Sequence, residues 1–181
     1  MPFRMLSFRS PHAVSPLMSA VFVGVCSFAL AGIAQTLPST QGETLAGKQI
    51  MLSDAIKGHP AILIGGFSHE AGDACGAWFR DLRADPAFKS IAVYEVAEIE
   101  KAPSFVRGMI MSGMRKGMTT SDQQNFVVLT RDDANWRSFF QVQDDKDPYV
   151  VLLGPSGEVR WRGHGKAKDL ESQLKAQLPQ S

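Results

Sequence analysis

Residues 147–165 read DPYVVLLGPSGEVRWRGHG. Asp147-Pro148 punctuates the chain, and Tyr149-Val150-Val151-Leu152-Leu153 follows as an unbroken apolar run of strand length, suited to a strand covered on both faces. Gly154-Pro155-Ser156-Gly157 carries turn chemistry, and Val159 and Trp161 return as the second arm of a β-hairpin. Trp161 alternates with Arg160 and Arg162, which places its ring on one side of the sheet and the two guanidiniums on the other. Leu170, Leu174 and Leu178, at four-residue steps, mark a helix that closes the chain.

Upstream of the hairpin, strands and helices alternate. Ala61–Phe67 is a second two-faced apolar run, and Cys75, Trp78, Phe79 and Leu82 then recur at helical steps, predicting a helix from about Ala74 to Ala84. Ile91–Val96 reads as a strand. Ser104–Lys116 reads as a helix through Phe105, Val106, Met109, Ile110 and Met114, which makes Met109 and Met114 core candidates and leaves Met111 and Met118 outside as a hint of a partner surface. Phe126–Thr130 is a further strand, and Asp132–Phe140 a short helix anchored by Trp136, with Asp132 or Asp133 suited to its N-terminus. Leu37–Lys48 is polar and broken by Pro38, Gly42 and Gly47, the pattern of an irregular lead-in. After it Ile50 and Leu52 alternate with polar neighbours, and Ser53 suits a short capped turn.

The order β-α-β-α-β-α-β-β-α describes an α/β protein with a central mixed sheet flanked by helices. With a proline just before the hairpin, it resembles the thioredoxin-like fold with an additional βα unit, the arrangement of the peroxiredoxin and thiol-disulfide reductase branch. The resemblance covers roughly residues 45–178. In that superfamily the residue before the hairpin is a cis-proline facing the active-site loop, a role the resemblance assigns to Pro148.

The chain has 181 residues, with 19 Lys and Arg against 18 Asp and Glu and a formal charge of +1. So even a balance argues against a nucleic-acid partner. Leu17–Ala34 contains no charged residue, Arg4 and Arg9 precede it, and no acidic residue occurs before Glu43. That is the design of a secretory signal, with an uncleaved N-terminal membrane anchor as the alternative. A mitochondrial presequence is a third reading, supported by the early Arg and Ser and opposed by the long apolar run. The expected organisation is therefore residues 1–34 as signal or anchor and residues 35–181 as a thioredoxin-like domain. Its location is then periplasmic or otherwise exported, or membrane-anchored with the domain outside the cytoplasm. Contact with a membrane is expected only through residues 17–34. Cys26 falls in the first segment, so the domain holds the single thiol of Cys75 and no internal disulfide.

The loop after the strand Ala61–Phe67 is where this fold keeps its chemistry, because the next helix offers its positive end to a thiolate. Here it reads GFSHEAGDACGAW, and Cys75 is followed by Gly76-Ala77-Trp78, so the CxxC dithiol is missing and exchange within one chain has no second sulfur. Cys75 lies seven residues after Ser68, the spacing between proline and peroxidatic cysteine in peroxiredoxins. Ser68 stands for that proline and Gly72 for the threonine of that motif. Gly66-Phe67-Ser68-His69 is similar to the opening of a copper-chaperone metal loop, but that family supplies two cysteines and a distant histidine, and Asp147 or Pro148 stands near the place of the latter. No metal and no cofactor are expected. The third reading makes Cys75 a small apolar residue sharing the buried face of Trp78, Phe79 and Leu82.

The stretch from Val96 onward resembles the mitochondrial ATP synthase assembly factor of the fungal ATP-ten type, a thioredoxin-fold family without a CxxC pair. The likeness rests on Met114-Arg115-Lys116, on Tyr149 opening an apolar strand, on Val159-Arg160-Trp161 with Gly163 and Gly165, and on Glu171 and Leu174. It implies protein contact during assembly of a membrane complex. The expected contact residues are Ser68, His69, Asp73, Trp78, Pro148 and Tyr149. The rival is a single-cysteine thiol peroxidase or oxidoreductase with Cys75 as its catalytic nucleophile. His69 and His164 fall in loops, and Asp144-Asp145-Lys146-Asp147 reads as a solvated turn.

Overall fold

A computed structural model describes residues 36–178, and the expected signal or anchor over residues 1–34 lies outside them. No helix of the described residues is long and apolar enough to cross a membrane. Two strands form the heart of the sheet: β3 (Ala61–Gly66) and β6 (Tyr149–Leu153), buried along almost their whole length. They pair antiparallel, with Ala61 opposite Leu153 and Gly65 opposite Tyr149. β6 turns into β7 (Val159–His164) as the expected hairpin, with Leu152 opposite Trp161 and Leu153 opposite Val159. On the other side of β3, β4 (Ala92–Glu98) and β5 (Phe126–Leu129) run parallel to it. Parallel neighbours need crossovers, and these are α2 (Gly72–Ala84) between β3 and β4, and α3 (Ser104–Arg115) with α4 (Thr120–Asn125) between β4 and β5.

The lead-in departs from expectation. Residues of the polar stretch Leu37–Lys48 form β1 (Gln41–Thr44), which pairs antiparallel with β2 (Gln49–Met51) and with β5, giving the sheet order β2-β1-β5-β4-β3-β6-β7. Gly42 permits this pairing, since a Cβ there would lie 2.5 Å from Cγ1 of Val127. A short α1 (Leu52–Ala55) follows β2.

Helices cover both faces. On one face α1 and α5 (Asp133–Phe140) enclose Leu63, Val151, Trp136, Phe139 and Phe140. Gly65 admits the Phe140 ring, whose atoms would stand 2.8–3.0 Å from any Cβ at that position. The opposite face is shared by two clusters. One gathers Ile62, Ile64, Trp78, Phe79, Leu82 and Leu174 beneath α2 and α6 (Ala167–Lys175). The other packs Leu45, Met111, Phe126 and Val128 beneath α3.

The phase of α3 differs from the sequence reading. Met111 is buried, while Met109 is 70% and Phe105 85% exposed. Every second or third residue of this helix is apolar, so periodicity alone admits two phases, and packing on Leu45 and Phe126 selects one. The acidic turn is likewise more than a solvated loop. Arg137 holds Asp145, and the Tyr149 hydroxyl accepts from the amides of Gln143 and Asp144 at 2.8 and 2.9 Å while donating to the Asp144 carbonyl. Asp132 adopts a left-handed conformation and does not cap α5 with its side chain; a carboxylate oxygen of Glu100 accepts the Asp133 amide proton at 2.7 Å instead.

Candidate functional site

The two clusters on the α2–α3 face leave a cleft of about 570 Å³ between them. Its walls are Phe79 of α2 and Ile110, Gly113 and Met114 of α3, with Met118 and Phe126 beyond. Gly66, Glu95 and Ala97 lie at its base. Period-two alternation explains the base. Ile62 and Ile64 face α2, their parallel partners are Val93 and Glu95, and Glu95 in turn pairs with Phe126. A carboxyl group thus stands at a core position of the central sheet.

Glu95 is 6% exposed, and among the described residues neither a hydrogen bond nor an ion pair reaches its carboxyl. Burial raises its pKa from 4.5 to about 7, against the opposing pull of the Arg80 guanidinium. Arg80 lines the same cleft, lying close to Gly76 on α2. An ion pair of 3.7 Å between Arg83 and Asp122 ties α2 to α4.

The structure divides the expected site residues into two groups. Ser68, His69, Asp73 and Cys75 all line the cleft. The Ser68 hydroxyl accepts the Ala71 amide proton at 3.2 Å, fixing the loop that leads into α2. Trp78, Pro148 and Tyr149 are buried in the interior. Trp78 donates its indole N–H to the Gly165 carbonyl at 2.7 Å, and the Gly165 amide bonds the Pro148 carbonyl at 3.0 Å. These three tie α2 to the entrance of the hairpin. Tyr149 stacks on His164 and meets Phe67 edge-on.

Cys75 is a full turn inside α2, its amide bonded to the Ala71 carbonyl at 2.9 Å. Its Sγ packs against the strand backbone, 3.1 Å from where a Cβ on Gly66 would stand. Only 1% of the residue is exposed, and burial, followed by the repulsion of Glu95, pushes the thiol far up. Reactive thiolates sit in electropositive, partly exposed surroundings, and the surroundings of Cys75 are neither. Among the described residues no cluster of three or more His, Cys, Asp or Glu side chains is arranged to hold a metal ion. Native protein is therefore expected to resist thiol reagents, labelling on the order of a thousandfold or more slower than unfolded chain, because access requires opening of the core. Equal labelling rates in buffer and in urea would contradict this placement.

Reading residues one by one did not find Glu95. The signal was an acid at an inward position of β4, flanked on its own face by Val93 and Ala97. The α3 wall carried no comparable signal.

A family model described as ATP10 protein matches residues 19–177. The chain belongs to the ATP10 family. No curated protein matches its sequence. Solved structures establish the thioredoxin-like fold. The exposed lipoprotein thioredoxin Etrx1 of Streptococcus pneumoniae strain TIGR4 superposes with a TM-score of 0.55 at 20% identity, covering 78% of this chain and all of its own. A Chlorobium tepidum chain assigned as the thiol:disulfide interchange protein DsbE gives 0.54 at 17% identity, over 80% of this chain and 96% of that one. BsSco, a member of the Sco family of cytochrome c oxidase assembly proteins, gives 0.52 at 15%, over 80% and 94%. In this ATP10 protein the helix after the first central strand carries a single interior sulfur, and an apolar cleft opens beside it.

Proposed function

We propose that this ATP10 protein acts by binding another protein during assembly of a membrane complex, with the cleft between α2 and α3 as its contact surface, and not by thiol turnover. The complex that the family likeness suggests is the membrane sector of the ATP synthase. The domain works outside the cytoplasm, with residues 1–34 as its export signal or anchor. The observation that carries the reading is the burial of Cys75 beside an open, mostly apolar cleft. The same burial weighs against a single-cysteine peroxidase, because peroxide reduction needs a thiolate within reach of solvent.

Two variants test it in a strain lacking the gene, with assembled membrane sector read on native gels. Cys75→Ala keeps a small apolar side chain in the core and is expected to restore assembly to the wild-type level. Gly113→Trp should restore none. Gly113 lines the cleft with nothing within 4 Å of an added Cβ, so the indole grows into the open space. Exchanging a helical glycine costs no helix propensity and gains a few tenths of a kcal/mol or more. Full assembly with Gly113→Trp, or loss of assembly with a folded Cys75→Ala protein, overturns the reading.

A further inference from the structure

The carboxyl of Glu95 is buried without a hydrogen-bond or ion-pair partner among the described residues. A carboxyl group at a core position ordinarily has partners, because desolvation without compensation is costly. Here the cleft above it is open, its walls are apolar, and two of its wall residues are methionines, whose thioethers adapt to the shape of what enters. The charged and titratable groups that face this space are few. His69 comes from the loop before α2, Asp73, Cys75 and Arg80 from α2, and Asp122 from α4, where Arg83 already holds it. Among the described residues α3, β3 and β5 bring none to the cleft.

We propose that the cleft receives a lysine or arginine side chain of a partner polypeptide, its alkyl stem along Phe79, Ile110 and Met114 and its charged head on the carboxylate of Glu95. An apolar channel ending in an unpaired carboxyl group suits a flexible aliphatic chain with a cationic tip better than either a wholly apolar or a wholly polar group. Asp73 at the rim adds negative charge along the way in. Arg80, the lining cation, forms no ion pair with Glu95 and leaves the carboxylate open to a second cation. The inference rests on the cleft being the contact surface and names what occupies it.

The test titrates the full-length protein with the peptide acetyl-Ala-Leu-Lys-Leu-Ala-amide, its norleucine counterpart, and free hexylammonium, following the methyl resonances of Met114 and Met118. The lysine peptide is expected to shift both resonances saturably and the norleucine peptide to bind at least fivefold more weakly. Only the ionised carboxylate pairs with the cation, so affinity should fall about tenfold from pH 8 to pH 6. His69→Gln keeps that dependence, which separates it from titration of the rim histidine. Glu95→Gln should reduce the lysine peptide to the level of the norleucine one. Equal binding of the two peptides overturns the inference, as does pH-independent binding in the native protein, which needs no variant to fold. Binding of hexylammonium without binding of the lysine peptide also overturns it, in favour of a small amine. If the peptides fail while Gly113→Trp still blocks assembly, the contact surface stands and only its cationic occupant falls.

Discussion

Trp78→Ala is expected to lower the stability of the domain by about 4–6 kcal/mol, a large share of the roughly 5–15 kcal/mol that a domain possesses. The indole is fully buried between the sheet and α6, in the cluster formed by Ile62, Ile64, Leu82 and Leu174. Truncation leaves a large cavity and removes the donor of the 2.7 Å bond to the Gly165 carbonyl. Cavity formation accounts for about 3–5 kcal/mol, and the lost hydrogen bond for about 1 kcal/mol more. Trp78→Phe separates the two contributions. It keeps most of the volume, loses the N–H, and should cost about 1–2 kcal/mol. Urea unfolding followed by far-ultraviolet dichroism reads both values. Because Gly165 in turn bonds Pro148, the damage should reach the entrance of the hairpin, and amide exchange should quicken at Gly165 in both variants. A Trp78→Ala protein as stable as Trp78→Phe would mean that this indole packs elsewhere.

The centre of the sheet was legible because a strand buried on both faces reads as an unbroken apolar run of strand length, bounded by turn residues. The runs Ala61–Phe67 and Tyr149–Leu153 match β3 and β6 within a residue. The edge was not legible. Gln41-Gly42-Glu43-Thr44 has the composition of a loop, and it forms β1 because β5 and β2 offer it partners on both sides. The short α4 was missed for the same reason: Thr119 accepts the Asp122 amide proton, a local cap whose worth depends on where β5 begins. In α3 the apolar residues run nearly all round the helix, so the sequence admitted two rotations and tertiary packing chose between them.

For the site, position in the fold was the readable part. The loop after β3 pointed to Ser68, His69, Asp73 and Cys75, and the structure gathers these four around one cleft. Large aromatic residues in the same neighbourhood were harder to place. Trp78 and Tyr149 look alike in sequence whether they face a partner or the core, and here both face the core. The α3 wall was illegible as long as the helix phase was open, since the sequence sets Met109 beside Met114 on the packed side, whereas the structure buries Met111 there and leaves Met109 exposed. Glu95 was legible in principle. An acid at an inward position between Val93 and Ala97 contradicts the strand around it, and such local contradictions are where function is expected.

That contradiction has a thermodynamic consequence. Unfolded, Glu95 titrates at its ordinary 4.5; folded, burial raises it to about 7. Between these two pH values the folded state binds more protons than the unfolded chain, so stability must fall as pH rises through this window and level off above it. The raised pKa corresponds to a loss of about 3 kcal/mol from pH 4.5 to pH 8. Glu98 adds in the same direction, since burial and then the neighbouring Asp133 also raise it to about 7. Glu95→Gln fixes the neutral form in nearly the same volume. It should therefore match the wild type near pH 4.5, exceed it by about 2–3 kcal/mol at pH 8, and show the shallower slope that Glu98 alone leaves. Urea midpoints at half-unit pH steps measure both curves. Parallel curves for the two proteins, or wild-type stability that rises from pH 5 to pH 8, would remove Glu95 as the origin. A cation seated on the carboxylate reverses the sign of its cost: it favours the ionised form, returns the pKa toward the usual range, and stabilises the domain by mass action. A charge that weakens the empty domain at neutral pH is then one that strengthens it when the cleft is filled.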